Sequence, residues 1–228
     1  GDFRLKLQTT LVGGTGAPDI VMFNDWIAQY LPYEEYFVNL YDYGAAEIQS
    51  NYLDWKWNLA QVPGKKVLIA LPVDTGPTAL FYRTDLFEEA GLPTDPETVS
   101  QKIQTWKDYM EAGEQLKERT GVYMVDSIVN VYNQLLAQSS DKYFDRNDRY
   151  IGDGESIKKA WNTAVEFNKR GLNAKIDSGT DWNAAINNGR IASFVHAVWE
   201  KQIMQDAAPD TKGKWHVANA PGGAGNNG

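Results

Sequence analysis

The pattern of apolar and polar positions along the chain predicts helices that alternate with short strands. In the predicted helices, apolar residues recur at helical spacing between a capping residue or loop and a terminating glycine or asparagine. Such segments are 3–12, 53–58, 85–91, 105–121, 131–138, 157–171 and 180–188, and a further helix begins at Trp199. Thr105 with Asp108 has the spacing of a capping box, and Asp85 and either Thr180 or Asp181 are predicted as helix caps.

Short apolar runs bounded by turn residues predict the strands. They are 19–23, 66–71, 78–82, 122–125, 191–195 and 215–218. The first two are linked by predicted helical segments, which favours a parallel or mixed sheet with helices on its faces. The predicted fold class is therefore α/β.

The segment from Leu68 to Pro93 indicates where the chain passes from one lobe to another. Two apolar runs end and begin at Pro72 and Pro77, and the polar turn 74–76 lies between them. Pro77 fixes one backbone dihedral while Gly76 leaves its own free, a combination suited to a joint.

Composition limits the classes of function. The chain has 228 residues, of which 43% are hydrophobic, enough for packed cores. No run of about 18 apolar residues is present to span a membrane. The net charge of −8 and the lack of a basic patch argue against nucleic acid as a partner. Eight Trp and 12 Tyr are abundant; most are expected in cores, while exposed rings can stack on sugars.

Few sequence patterns support catalysis or cofactor binding. There is no cysteine, and His196 and His216 are not accompanied by a nucleophile-elbow pattern or by metal-ligand spacing. The glycines at 13–16 lack the Lys-Ser/Thr of a phosphate-binding loop. We therefore expect no catalytic residue, metal or cofactor. Two carboxylates suffice for glycoside hydrolysis, so that enzymatic alternative stays open.

Several motifs in order give the chain a family resemblance. Residues 81–93 read Phe-Tyr-Arg-Thr-Asp-Leu-Phe-Glu-Glu-Ala-Gly-Leu-Pro and follow Leu71 and Pro72; the other motifs are 14–21, 105–108, 187–199 and 221–225. This set resembles the family 1 extracellular solute-binding proteins of ABC importers, the group that includes maltose-binding proteins. The chain departs from the family pattern at Arg83, where Asn is usual.

The resemblance implies a periplasmic-binding-protein-like fold of two lobes, with mixed sheets flanked by helices and joined by a hinge. Residues 1–76 would form part of lobe one, 77–218 lobe two, and 219–228 the second crossing. Lobe one is expected to be incomplete, because the family has a strand and helix before residue 14 and a long stretch after the second crossing. Residues 94–104 are longer than the usual link and are interpreted as a surface insertion.

The implied function is the extracytoplasmic binding of a solute, expected to be a sugar or oligosaccharide, in a cleft between the lobes. The implied partners are this small molecule and the membrane permease subunits of an ABC importer, with the protein itself a monomer. A periplasmic or lipid-anchored location is expected, with the signal region outside this chain.

Candidate ligand contacts follow the ends of the predicted strands or lie in the crossing. By resemblance the loop 23–26 supplies an aromatic and polar contacts, and Trp199 matches a stacking position. The full set is Phe23, Asn24, Asp25, Trp26, Asp74, Asp126, Asn130 and Trp199. Helix capping competes with ligand contact for Asp25, turn formation for Asp74 and a buried role for Trp199; His196 is interpreted as a hydrogen-bonded residue at a strand end.

Two functions of other classes remain alternatives at this point. A glycoside hydrolase would use the same aromatics with a mutation-sensitive carboxylate pair. A non-catalytic surface adhesion domain would lack a cleft lined by Trp199 and the 23–26 loop.

Overall fold

A computed structural model describes residues 2–139, 141–145 and 149–222. The chain divides into two compact units, residues 1–75 and 76–228, here called unit 1 and unit 2. The part of the predicted second crossing beyond residue 222 lies outside the described residues. Within these ranges, no helix is both long and apolar enough to cross a bilayer.

Unit 1 is built from short helices and single turns. Its α-helices are α1 (Asp2–Gly13), α2 (Ala45–Ile48) and α3 (Asp54–Ala60), and its 3-10 turns are Asp25–Gln29, Leu31–Tyr36, Leu40–Tyr43 and Gln49–Asn51. The helices predicted at 3–12 and near 53–58 are confirmed. Trp57 of α3 is 1% exposed, and its indole N–H donates to the Tyr41 hydroxyl at 3.0 Å, so this ring anchors the core of unit 1.

The strands predicted at 19–23 and 66–71 are wrong. Ile20 and Met22 are largely exposed, and 66–71 makes one antiparallel bridge, between Gln61 and Leu68. A strand needs a neighbour that pairs its N–H and C=O groups in a ladder, and the described part of unit 1 contains none. The apolar runs predicted burial at Leu68 correctly but not the pairing.

A side chain takes over part of this missing ladder. The Leu68 N–H donates to Asn39 Oδ1 at 3.1 Å, and Asn39 Nδ2 donates to the Lys66 carbonyl at 3.2 Å. The Leu68 carbonyl accepts from the Leu40 N–H at 2.9 Å. Buried backbone groups must find partners, and here an Asn and a 3-10 turn supply them in place of a strand.

Unit 2 combines a sheet with helices on both faces. Its strands are β1 (Thr78–Arg83), β2 (Ser193–Ala197) and β3 (Trp215–Ala218), and its helices are α4 (Thr84–Glu89), α5 (Pro96–Lys102), α6 (Trp106–Thr120), α7 (Ile128–Gln138), α8 (Glu155–Lys169), α9 (Gly179–Asn187) and α10 (Glu200–Ala207), with a 3-10 turn at Pro209–Thr211. The strand order is β2-β1-β3, and both pairings are antiparallel.

The central strand β1 is buried on both sides. Leu80 and Tyr82 face the larger core with α4 to α8, whereas Phe81 faces a second core with α9 and α10. Because successive side chains of a strand point to opposite faces, this continuous apolar run suits a sheet covered by helices on each face.

The strand predicted at 122–125 is reduced to two isolated parallel bridges. Tyr123 pairs with Ile191, and Val125 pairs with Asn173. These bridges continue the sheet beyond β2 in parallel orientation, which gives unit 2 the mixed character that was predicted. They also place Asp126 at the end of this segment.

Helix α6 follows its sequence signals closely. The Thr105 side chain accepts from the Asp108 N–H at 3.1 Å, and the Asp108 carboxylate accepts from the Thr105 N–H at 2.8 Å. This is the predicted capping box. Gly121 ends the helix in the left-handed region at φ 73°, as glycine does most easily.

The interpretation of 94–104 as a surface insertion is wrong. These residues contain α5, which is capped by Asp95, whose carboxylate accepts from the N–H groups of Glu97 and Thr98. Val99 and Ile103 are 0% and 2% exposed and belong to the larger core. The segment is therefore an integral helix whose apolar face completes that core.

Two predicted caps are also wrong. Asp85 lies inside α4, where its carboxylate accepts from both Arg83 Nε at 2.8 Å and Arg83 Nη2 at 2.7 Å. The hydrogen bond from Arg83 lowers the pKa of Asp85. Asp85 thus pairs with Arg83 and does not cap the helix, because a bidentate ion pair is stronger than a single cap bond.

The other wrong cap is that of α9. This helix begins after Ser178 without a side-chain cap, and Asp181 lies in its first turn.

Candidate functional site

Three predicted contacts line a groove in unit 1. Phe23, Asn24 and Trp26 enclose about 500 Å³ together with Phe3, Arg4 and Met22. The rings of Phe23 and Trp26 meet edge to face at 5.3 Å. The Arg4 guanidinium lies 5.9 Å from the centroid of the Trp26 ring.

The aromatic loop is held by the core beneath it. The ring centroid of Phe23 lies 5.4 Å from that of Tyr30 and 5.5 Å from that of Phe37, and the ring centroids of Trp26 and Tyr30 are 5.5 Å apart. The 3-10 turn Asp25–Gln29 brings Trp26 and Tyr30 to the same side. Phe23 and Trp26 therefore serve two purposes, since both are half-buried against the core and both line the groove.

The other two predicted contacts before residue 76 are placed differently. Asp25 contributes its backbone to the 3-10 turn, and its side chain lies outside the described residues. Asp74 is exposed in the irregular segment between Leu71 and Pro77 and lies outside the groove described above.

In unit 2, Asp126 is the centre of a buried polar cluster. Asp126 is 1% exposed, and its carboxylate accepts from the Ser127 N–H at 2.7 Å, Asn130 Nδ2 at 2.9 Å and Trp182 Nε1 at 3.1 Å. His196 Nε2 lies 3.2 Å from Asp126 Oδ2 as an ion-pair contact with poor hydrogen-bond alignment. A buried carboxylate needs this many partners to offset the loss of water.

His196 links this cluster to the start of α10. Its Nδ1 lies 3.5 Å from Glu200 Oε1, and its ring stacks on Trp182 with an interplanar angle of 8°. Burial lowers the pKa of His196, but the ion-pair contacts with the carboxylates of Asp126 and Glu200 outweigh burial and raise the pKa to about 9. The imidazole is therefore protonated at neutral pH and bridges two carboxylates.

Trp199 lies between β2 and α10 and is 51% exposed. It immediately precedes Glu200, so the ion pair with His196 fixes the backbone next to it. The buried role, which is the alternative to ligand contact for this residue, is only half met, because a large part of the side chain faces solvent. A flat apolar surface beside a polar cluster is the chemistry that binds a sugar face and its hydroxyls.

The structure groups six of the eight candidates into two clusters: Phe23, Asn24 and Trp26 in unit 1, and Asp126, Asn130 and Trp199 in unit 2. Asp126 and Asn130 are joined directly, and they connect to Trp199 through His196 and Glu200. Sequence reasoning did not assign Glu200 a role, because its four-residue separation from His196 crosses a strand end and so carries no helical signal. No group of three metal-ligating His, Cys, Asp or Glu side chains occurs among the residues that could be described.

The chain matches known proteins over its whole length. A family model described as bacterial extracellular solute-binding protein matches residues 1–228. The lactose-binding protein of Rhizobium radiobacter is 31% identical over 96% of this chain and 52% of its own length. The arabinooligosaccharide-binding protein of Halalkalibacterium halodurans is 24% identical over 95% of this chain and 48% of its own. The chain thus spans about half the length of these curated relatives.

Solved structures match the fold. A crystal structure of an extracellular solute-binding protein of family 1 superposes with a TM-score of 0.88 at 36% identity, covering 98% of this chain and 58% of that chain. An ABC transporter associated binding protein from B. animalis subsp. lactis, in complex with beta-1,6-galactobiose, gives 0.74 at 23% identity, covering 96% and 54%. The second match supports the fold alone.

Proposed function

The chain belongs to the bacterial extracellular solute-binding protein family, and from that premise we propose that it is a solute-binding component of an ABC import system whose ligand is a sugar or oligosaccharide. A lactose-binding relative and an arabinooligosaccharide-binding relative support this ligand class. In this role the protein acts outside the cytoplasm, as a periplasmic protein or a lipid-anchored one, and hands its ligand to the membrane permease subunits. It works as a monomer and without a cofactor.

The half-exposed indole of Trp199 carries the proposal. Trp199 lies at the end of β2, where the family resemblance places a stacking residue, and its neighbour Glu200 is tied to the buried cluster of Asp126. A ring that is held in place and still open to solvent loses little conformational entropy on binding a ligand. Phe23, Asn24 and Trp26 are the proposed contacts in unit 1; Asp25 and Asp74 remain proposed contacts from the resemblance.

The polar cluster supports binding without turnover. Asp126 is buried and already accepts from three donors, so it is not free to protonate or attack a glycosidic bond. A glycoside hydrolase needs two carboxyl groups that face the scissile bond. Asn130 is therefore proposed to offer the ligand a polar group at the edge of the cluster, and Asp126 to hold the Asn130 side chain in place.

Binding of named probes tests the proposal. Calorimetric titrations with lactose and with arabinotriose are compared for the wild type, Trp199→Ala and Trp161→Ala. Trp161 is the matched control because it is 61% exposed on α8. We expect one sugar to bind the wild type, Trp199→Ala to weaken it by about tenfold or more, which is about 1.4 kcal/mol, and Trp161→Ala to leave it unchanged.

Two results contradict the proposal. If neither sugar binds the wild type under conditions where the protein is folded, the sugar assignment fails. If a sugar is cleaved during the titration, as shown by release of monosaccharide, the protein is a hydrolase and not a binding component.

A further inference from the structure

Residue 76 has no room for a side chain because the indole of Trp199 occupies that space. A Cβ built on Gly76 would lie 1.8 Å from Trp199 Cζ3, 2.3 Å from Cη2 and 2.7 Å from Cε3. Real Cβ atoms essentially never approach another heavy atom within 3.0 Å. The benzene half of the ring therefore rests directly on the backbone of Gly76.

Backbone conformation does not explain the glycine at this position. Gly76 is absent from the glycines with positive φ, unlike Gly44, Gly91 and Gly121. Those three need glycine because other residues seldom adopt the left-handed region. At Gly76 an alanine could adopt the backbone, so the requirement is for space.

The register of the sheet explains why these two residues meet. Thr78 of β1 pairs with Ala197 of β2, and one residue further the Val198 N–H donates to the Pro77 carbonyl at 3.1 Å. Beyond this hydrogen bond the chain turns into α10, and Trp199, which already has helical φ and ψ, lies against Gly76. Any side chain at residue 76 would therefore compete with the indole for the same space.

Two contacts thus hold Trp199 in place. The ring lies against Gly76, while the backbone of the following residue is tied through the Glu200 carboxylate to His196. With both contacts in place, 51% of the surface of Trp199 remains exposed. The open surface of the indole therefore has a position that depends on the size of residue 76.

We propose that Gly76 is a positioning residue for Trp199. Because residue 76 has no side chain, the indole occupies the space beside its backbone, here called the seat. The position of this seat sets where the exposed ring meets the ligand. The inference deepens the proposed function and rests on it.

The first test needs no ligand. In ¹⁵N-labelled protein, the indole N–H resonance of Trp199 is identified from its loss in Trp199→Phe, and its position is then compared in the wild type and Gly76→Ala. We expect a clear shift of this resonance while the other indole resonances stay in place. Gly13→Ala is the matched control, since Gly13 has no positive φ and no atom within 4 Å of its built Cβ; it should leave the Trp199 resonance unchanged.

The second test uses lactose and arabinotriose as probes. Gly76→Ala should weaken the binding sugar by about tenfold, whereas adding Gly76→Ala to Trp199→Ala should weaken binding less than twofold further. This non-additivity separates positioning of the ring from a general structural defect. Equal losses in both backgrounds would overturn the proposal.

Folding provides a third, independent readout. If Gly76→Ala lowers the melting temperature, replacing Trp199 by Leu in the same chain should restore it, because the overlap is then removed. No restoration would overturn the proposal, as would an unchanged Trp199 resonance in Gly76→Ala. If neither sugar binds the wild type but the resonance shifts and the double variant recovers, the seat stands and the sugar assignment fails.

Discussion

Asp126 shows how one buried charge organises its surroundings. Its carboxylate collects donors from the backbone of Ser127 and from the side chains of Asn130 and Trp182, and it faces the imidazolium of His196. Every one of these partners comes from a different position along the chain. A single residue thereby joins the end of the 122–125 segment, the start of α7, helix α9 and strand β2.

His196 makes the stability of unit 2 depend on pH. Its pKa is raised from 6.5 to about 9 in the folded protein, against the effect of burial, by Asp126 and Glu200. A group with a raised folded pKa stabilises fully below its unfolded pKa and loses this contribution as the pH rises through the folded value. We predict that the free energy of unfolding falls by about 3 kcal/mol between pH 6.5 and pH 9.5, at about 1.4 kcal/mol per pKa unit.

Urea unfolding of the wild type and of His196→Gln across this pH range measures the effect. The variant has no titrating imidazole, so its stability should be nearly flat where the wild type declines. Parallel curves for the two proteins would show that His196 does not carry the dependence.

At residue level, the sequence located the polar cluster only in part. Asp126 and Asn130 could be predicted because they follow the short apolar run 122–125, and ligand contacts are expected after the ends of strands. Glu200 was missed because no local pattern connects a strand end with the first turn of the next helix. Trp182, the partner contributed by α9, is 4% exposed and hydrogen-bonded to Asp126.

Helix α5 is the element whose role differs most from expectation. Its sequence is largely polar and begins with Pro96, as in many surface loops, yet Ile103 after its last turn is 2% exposed in the larger core. We predict that Ile103→Ala lowers the free energy of unfolding by about 2–5 kcal/mol, because it removes buried methyl groups and leaves a cavity.

The neighbouring Gln101 offers the matched control. It is exposed on the same helix, so Gln101→Ala should change stability by less than about 0.5 kcal/mol. Chemical denaturation of both variants distinguishes the cases. A loss as small for Ile103→Ala as for Gln101→Ala would mean that α5 contributes little to the core.

Helices could be predicted better than strands, for a physical reason. The capping box of Thr105 and Asp108 and the stop at Gly121 are local signals, and α6 follows them. A strand depends on a distant partner, so the apolar runs at 19–23 and 66–71 predicted strands that have no ladder among the described residues. The strand at 78–82 was predicted correctly because β2 and β3 are present to pair with it.

At the scale of the whole molecule, the two units differ in how their backbones are hydrogen-bonded. The described part of unit 1 has no β-strand, and most of its elements are 3-10 turns of three to six residues. Unit 2 has a sheet with a central strand paired on both sides and covered by two cores. Short turns open more easily than a buried, doubly paired strand, because each opening breaks fewer bonds and exposes less apolar surface.

We therefore predict that amide hydrogen exchange is slowest in β1 and substantially faster throughout unit 1. The test is exchange monitored by mass spectrometry, with peptides that cover 78–83 in unit 2 and 54–70 in unit 1. The second peptide is a demanding comparison, since Trp57 and Leu68 are as deeply buried as Leu80 and Phe81. Burial without a ladder should protect less than burial with one, because the Leu68 N–H relies on a side chain, Asn39, that can release it locally. Equal protection of the two peptides would mean that both units open only together, in one cooperative unfolding step.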